Sequence, residues 1–405
     1  MRTSFIKICA LLTVLAGGTL GVSSVGAQLD VTAPSPVRDL LTESTGTYQA
    51  RGFFIPAYFD IDASRAAQIN EKFDLVIQSR GSNYSDIDTS KIILLIGPSV
   101  LYSNSLGDAN EWALVDANED WFLHSSPDMS PQTRIPLPDP FQHLFYMNVG
   151  SAGWRDFVVS KNAEAAALNP GTKGVFVDGP PPATEYLAQV GIAFPNFDAA
   201  SYEAAALEFV RMIKTAVPHK LVILNTELAK PFTLAGDGGM AEGFVHFGGR
   251  TNGVVLTRAQ WLSDVELIAD RDFDGKYLLI GSGSLESTLP SMVEYCYASY
   301  LVGYNTRAHC FFYWHSNAEG GYGAINWFTL WELAIGEPIG DYFEADGLFR
   351  RDFTGGIVLV NPNDAGAAKT VRLNGTYLDS AGKVVTSVTL SNKTGAVLKK
   401  QAWPR

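Results

Sequence analysis

The chain has 405 residues, 46% of them hydrophobic, with 42 acidic against 30 basic side chains and a net charge of −12. So acidic a chain disfavours nucleic acid and anionic membrane as partners, while eight tryptophans suit a groove that grips neutral, flat-faced ligands. Charge alone says nothing of fold.

The chain opens with Arg2 and Lys7, an apolar run from Ile8 to Leu20 and small residues at Val25-Gly26-Ala27. That is the pattern of a secretory signal peptide over 1–27, too short and glycine-rich for a membrane anchor. Cleavage near Ala27 would start the mature chain at Gln28 and send it to the periplasm or the medium. Losing two basic residues from a net −12 would leave it at −14. No later run is long and apolar enough to span a bilayer. Cys9 lies in the leader, so Cys296 and Cys310 remain; one disulfide is permitted, and two buried thiols are the expectation.

Residues 28–50 are rich in Ser, Thr and Pro and read as a tail. Strand-like and helix-like runs then alternate: strands at Phe53–Tyr58, Leu75–Gln78, Ile92–Ile96, Gly174–Asp178, Leu221–Asn225, Glu242–His246, Tyr277–Ser282 and His309–Trp314. Helices are predicted at Ser64–Asn70, near Asn110–Asn118, and at Trp154–Leu168, Ser201–Ala216, Thr257–Asp270, Ser287–Val302 and Ala324–Ile335, with Ser201 as an N-cap. A long irregular stretch, Pro98–Phe145, reads as a substrate-side insertion. Eight such units match one (β/α)8 TIM barrel over 51–345. A doubly wound sheet is the runner-up, but a nucleotide site there needs a glycine-rich turn after the first strand, and Tyr58-Phe59-Asp60 offers none. Short runs with Gly, Asn-Pro and Ser-Ala-Gly turns follow, the pattern of a small C-terminal antiparallel β domain over 346–405 that must pack on the barrel.

Barrel active sites lie where strands end, so acids placed there are candidates for chemistry. Asp178 ends the fourth strand, just before Gly179 and three prolines; it can equally cap the turn that follows. Glu227 lies after Asn225 of the fifth strand, and Asp60 after the first. Glu242 starts the sixth strand on this reading and points to the barrel floor, with His246, on the same face at period two, nearest the rim. Two carboxylates suffice for glycoside hydrolysis. Tyr58, Trp121, Trp154, Trp314 and His315 stand in loops or at strand ends as candidate sugar contacts, with Asn225 and His246 as polar partners. For each aromatic, packing is the competing role. Asp270-Arg271-Asp272-Phe273-Asp274-Gly275 opens like a calcium loop, but Gly281 holds the twelfth position, so a solvated turn is expected. Gly281-Ser282-Gly283-Ser284 is a weak phosphate signal, and no serine-hydrolase elbow or zincin helix occurs. No metal or cofactor is expected.

Asn118–Leu123, Met147-Asn148-Val149-Gly150 with Trp154-Arg155-Asp156, Gly174–Gly179 and Gly355–Pro362 together resemble a family of bacterial TIM-barrel hypothetical glycoside hydrolases, distant kin of endo-α-polygalactosaminidases. The likeness spans about residues 50–400 and implies a catalytic acid at Asp178. It also implies a Glu soon after the glycine of the sixth strand, where the predicted strand runs Gly243-Phe244-Val245-His246-Phe247. The second carboxylate then falls to Glu242 or Glu227. The expected function is an exported glycoside hydrolase, a monomer, acting on a polysaccharide or oligosaccharide. The alternative is a surface or glycan-binding protein that cleaves nothing.

Overall fold

The structure is a computed structural model that describes residues 51–54, 61–79, 84–91, 93–97, 109–136, 143–178, 199–246, 255–284, 290–316 and 325–401. Eight parallel strands form a closed barrel: β1 (Arg51–Phe54), β2 (Leu75–Ser79), β3 (Ile93–Gly97), β4 (Gly174–Val177), β5 (Leu221–Asn225), β6 (Gly238–Ala241), β7 (Tyr277–Ser284) and β8 (His309–Ser316), with β8 paired back to β1. Outside them lie α1 (Ala63–Lys72), α2 (Ala109–Asp116), α3 (Ala152–Leu168), α4 (Ala199–Ala216), α5 (Lys230–Ala235), α6 (Arg258–Ile268) and α7 (Pro290–Gly303). β4 and β5 are buried at every residue, as strands covered on both faces must be. The Thr257–Gln260 capping box opens α6. Ser201 lies inside α4 rather than at its cap.

The sixth strand departs most from expectation. It is Gly238–Ala241, which ends just before the predicted Glu242–His246 begins. Two glycines have poor strand propensity, but the barrel needs them here. A Cβ on Gly238 would stand 2.0 Å from the carbonyl oxygen of Tyr277. Close approach of backbones therefore outweighs propensity, and Glu242 moves from the floor of the barrel to its catalytic end. The helix expected at Ala324–Ile335 is, among the described residues, a single 3-10 turn at Thr329–Glu332. Asp270 accepts from the Asp272 N–H in a short turn and pairs with Lys230, as a solvated turn would. Cys296 and Cys310 are both buried thiols with no bridge between them.

A six-stranded antiparallel sheet follows: β9 (Pro338–Ala345), β10 (Leu348–Phe353), β11 (Gly356–Asn361), β12 (Lys369–Leu378), β13 (Val384–Leu390) and β14 (Thr394–Lys400), in the order β13-β12-β14-β11-β10-β9. It packs along α6 and α7. Trp261 of α6 meets Phe349 at 4.6 Å between ring centroids, and its Nε1–H donates to Ser299 of α7 at 2.7 Å. Arg351, almost fully buried, donates to the carbonyls of Val302 and Tyr304 at 3.0 and 2.7 Å, which satisfies the orphan acceptors at the end of α7.

Candidate active site

Three strand ends converge on one amide. Asn225 closes β5, Asp178 follows β4 directly and Glu242 follows β6 directly, so parallel neighbours deliver all three to the same rim. The Asn225 Nδ2 group donates to Asp178 Oδ1 at 3.0 Å and to Glu242 Oε2 at 3.1 Å. Two oxygens within reach of a single nitrogen stand no more than about 6 Å apart by geometry alone. Glu242 is 3% exposed and Asn225 8%, whereas Asp178 is half-buried.

Glu227 supports this pair from behind. Its Oε1 accepts the backbone N–H of Glu242 at 3.1 Å. To do so the chain turns through two successive left-handed residues, Glu227 at φ 51° and Leu228 at φ 57°. Neither is glycine, so both positions carry strain that the surroundings must hold. The Leu228 N–H donates to the Met240 carbonyl on β6, which ties the turn to the strand that presents Glu242.

The β6 side of the rim is formed by Phe244–His246. Val245, a β-branched residue, stands at φ 60° with its N–H on Asp264 at 2.9 Å. His246 donates from Nδ1 to the Gly283 carbonyl, and its ring stacks on Trp314 at 6.0 Å with planes 12° apart. Ser282 Oγ donates to the Phe244 carbonyl at 2.6 Å, so β7 fastens the loop as well. Asp264 has no signal in the sequence that would single it out, and Ser282 and Gly283 stand out there only as part of a weak phosphate signal.

The structure separates the other candidates. Trp314 is wholly buried with its ring against His246, so it offers no face to a sugar and its assignment as a sugar contact is corrected to packing. Trp121 and Trp154 do not join the site. Their rings lie 5.7 Å apart in a core cluster with Phe157. Trp154 is 0% exposed and Trp121 8%, so neither offers a face to a sugar, and their assignment to the groove is corrected to packing. The insertion folds back on itself through bridges Phe122–Met147, His124–Arg134 and Pro136–Phe145, and Arg134 clamps it by pairing with Asp116 and Glu119. Tyr58 and Asp60 lie outside the described residues, and of His315 only the backbone, near the end of β8, is described. Among the described residues, no group of three or more His, Cys, Asp or Glu is placed to hold a metal ion, and no helix is long and apolar enough to cross a membrane.

By sequence, no curated protein matches the chain. Solved structures similar to it include the glycoside hydrolase domain of PelA from Pseudomonas aeruginosa, at 12% identity and a TM-score of 0.45, covering 68% of this chain and 98% of that one. An α-amylase from Geobacillus thermoleovorans matches at 10% identity and 0.47, covering 88% and 99%. The debranching enzyme of Nostoc punctiforme matches at 13% and 0.46, covering 84% and 88%. Likeness at this level carries no argument about activity. The family model does: it matches residues 101–357, more than half of the chain, and the chain belongs to hypothetical glycosyl hydrolase family 15.

Proposed function

We propose that this protein is an exported glycoside hydrolase that cleaves a polysaccharide or oligosaccharide with Asp178 and Glu242 as its catalytic carboxylates. One observation carries the reading: a single amide, Asn225, holds both acids within about 6 Å of each other at the mouth of the barrel. Retaining glycosidases place their carboxyls about 5–5.5 Å apart and inverting ones about 6.5–9.5 Å. The spacing here fits retention. One carboxylate attacks the anomeric carbon while the other protonates the departing oxygen; water, activated by that second group, then releases the sugar. Glu227 serves as a positioning residue that orients the backbone of Glu242.

The non-catalytic alternative rests on the lack of a Glu after the glycine of a sixth strand at 242–246. With that strand at Gly238–Ala241, Glu242 follows it directly, which supports the catalytic reading. No cofactor is invoked. Substrate contacts are assigned to His246 and the rim around it, and export to the leader at 1–27.

Turnover of mature D178N, E242Q and E227Q on a polysaccharide that the wild type cleaves, with melting curves, tests the pair. D178N and E242Q should each lose about a thousandfold or more in rate with the fold retained, and E227Q distinctly less. Activity near wild type in E242Q removes it from the pair.

A further inference from the structure

The C-terminal sheet reaches the catalytic face at one place. Barrel helices run antiparallel to their strands, so α6 and α7 begin at the rim. Arg351 sits at the far end of α7, while the turns after β11 and β13 lie at the start of α6. There Lys393, in the turn between β13 and β14, donates from Nζ to the carbonyls of Leu256 at 2.7 Å and Pro362 at 2.6 Å, and pairs with Asp364 at 2.7 Å. Asp364 accepts in turn from the backbone N–H of Arg258, the first residue of α6, at 3.2 Å. Lys393 is itself left-handed, at φ 56°, with its own N–H on the Asn361 carbonyl at 2.8 Å.

Leu256 leads directly into the rim. Its N–H donates to the carbonyl of Val245 at 3.2 Å. Val245 is the strained residue of the β6 corner, and a β-branched side chain holds φ 60° only where its neighbours over-determine it. Asp264 fixes its N–H and Leu256 its C=O, so the corner is gripped at both polar groups. The next residue is His246, whose carbonyl accepts from the Gly283 N–H at 2.9 Å and whose ring lies on Trp314. The path from the sheet to His246 is thus two hydrogen bonds and one peptide long.

We infer that Lys393 and Asp364 are positioning residues of the active site: two turns of the C-terminal sheet clamp Leu256 and thereby set the Val245–His246 corner. The inference rests on the reading of that corner as a sugar-binding rim. Stability is a poor explanation for the clamp. The Asp364 side chain is 54% exposed against 18% for Lys393, and an ion pair with one partner open to water adds little. Three acceptors around one ammonium instead fix a position, and they fix it where the backbone is strained.

The test reads His246 itself. In mature protein labelled at histidine Cε1, the His246 signal is assigned by its loss in H246Q. K393M keeps the aliphatic stem and removes the donors, and K393R restores charge and donors. The His246 signal should move or broaden in K393M and return towards wild type in K393R, while those of His124 and His309 stay put. D364A, at an exposed side chain, should move it in the same direction and keeps the test open if K393M fails to fold. On a glycan that the wild type cleaves, KM of K393M should rise about three- to tenfold, the scale of one hydrogen bond, with kcat changed less than about twofold. An unmoved His246 signal in K393M and D364A overturns the inference. A moved signal in a protein that cleaves no glycan leaves the clamp standing and removes the hydrolase reading instead.

Discussion

Asn225 gives both of its described donor contacts to carboxylates, which makes its role separable from that of a sugar ligand. A hydrogen bond to a charged group is worth about 1.5–3 kcal/mol, so N225A should lower kcat about 10- to 100-fold. KM should hold, because the lost contact lies between protein groups. Steady-state kinetics decide it: a raised KM at unchanged kcat would make Asn225 the substrate contact that its strand-end position suggests. The same logic separates the acids. Glu242 and Glu227 look alike in sequence, each a Glu close to an apolar run, but one shares an amide with Asp178 and the other accepts a backbone N–H. No spacing rule distinguishes them, because the difference lies in which way the backbone turns at Glu227 and Leu228. Trp154 teaches the converse. A tryptophan opening a helix on the substrate side reads as a groove residue, yet the insertion folds over it and removes it from solvent.

At the level of elements, β6 concentrates what the sequence hides. Gly238 stands where the backbone of a neighbouring strand approaches, and Gly238→Ala would drive a Cβ against the Tyr277 carbonyl; a Cβ on Gly239 would meet the Thr233 hydroxyl at 2.8 Å. Overpacking of this kind costs about 1–3 kcal/mol or more, and here it would also shift Glu242, which directly follows the last residue of the same strand. G238A should therefore lose both stability in urea and turnover, whereas G275A, in a turn with open space around it, should lose only about 1 kcal/mol from its left-handed backbone. Equal effects of the two would detach β6 from the site. Apolar strands such as β4 and β5 were legible because hydrophobic runs bounded by Gly, Pro or Asn leave few other structures. β6 was not, since its fitness comes from lacking side chains, and the adjacent Phe244-Val245-His246 mimics a strand while forming a strained corner. β9 escaped notice for a related reason: it lies at the sheet edge, with most side chains exposed and little alternation to read.

Across the whole molecule, α7 decides how the barrel and the sheet relate. Ten of its fourteen residues are buried, because the barrel covers one side and the sheet the other, and a helix apolar all round needs both covers. Polar ties also cross the seam. Glu294 of α7 accepts the Val397 N–H at 3.2 Å and the Ser380 hydroxyl at 2.9 Å, and burial raises its pKa above the usual glutamate range despite those donors. A raised folded-state pKa means that the folded protein binds this proton more tightly than the unfolded chain. The stabilisation it brings is complete below the unfolded-state value and is lost as pH rises through the folded-state value, where the seam must hold a charge. E294Q keeps the shape and an acceptor for the Val397 N–H but never ionises. Its melting temperature should match that of the wild type at the acidic end of the transition and exceed it by about 1–3 °C at neutral pH, with the gap opening across that titration. Thermal melts of both proteins from acidic to neutral pH measure the difference. A gap of the opposite sign, with E294Q the less stable at neutral pH, would mean that the ionised carboxylate with its two donors stabilises the seam and that burial is not its dominant influence.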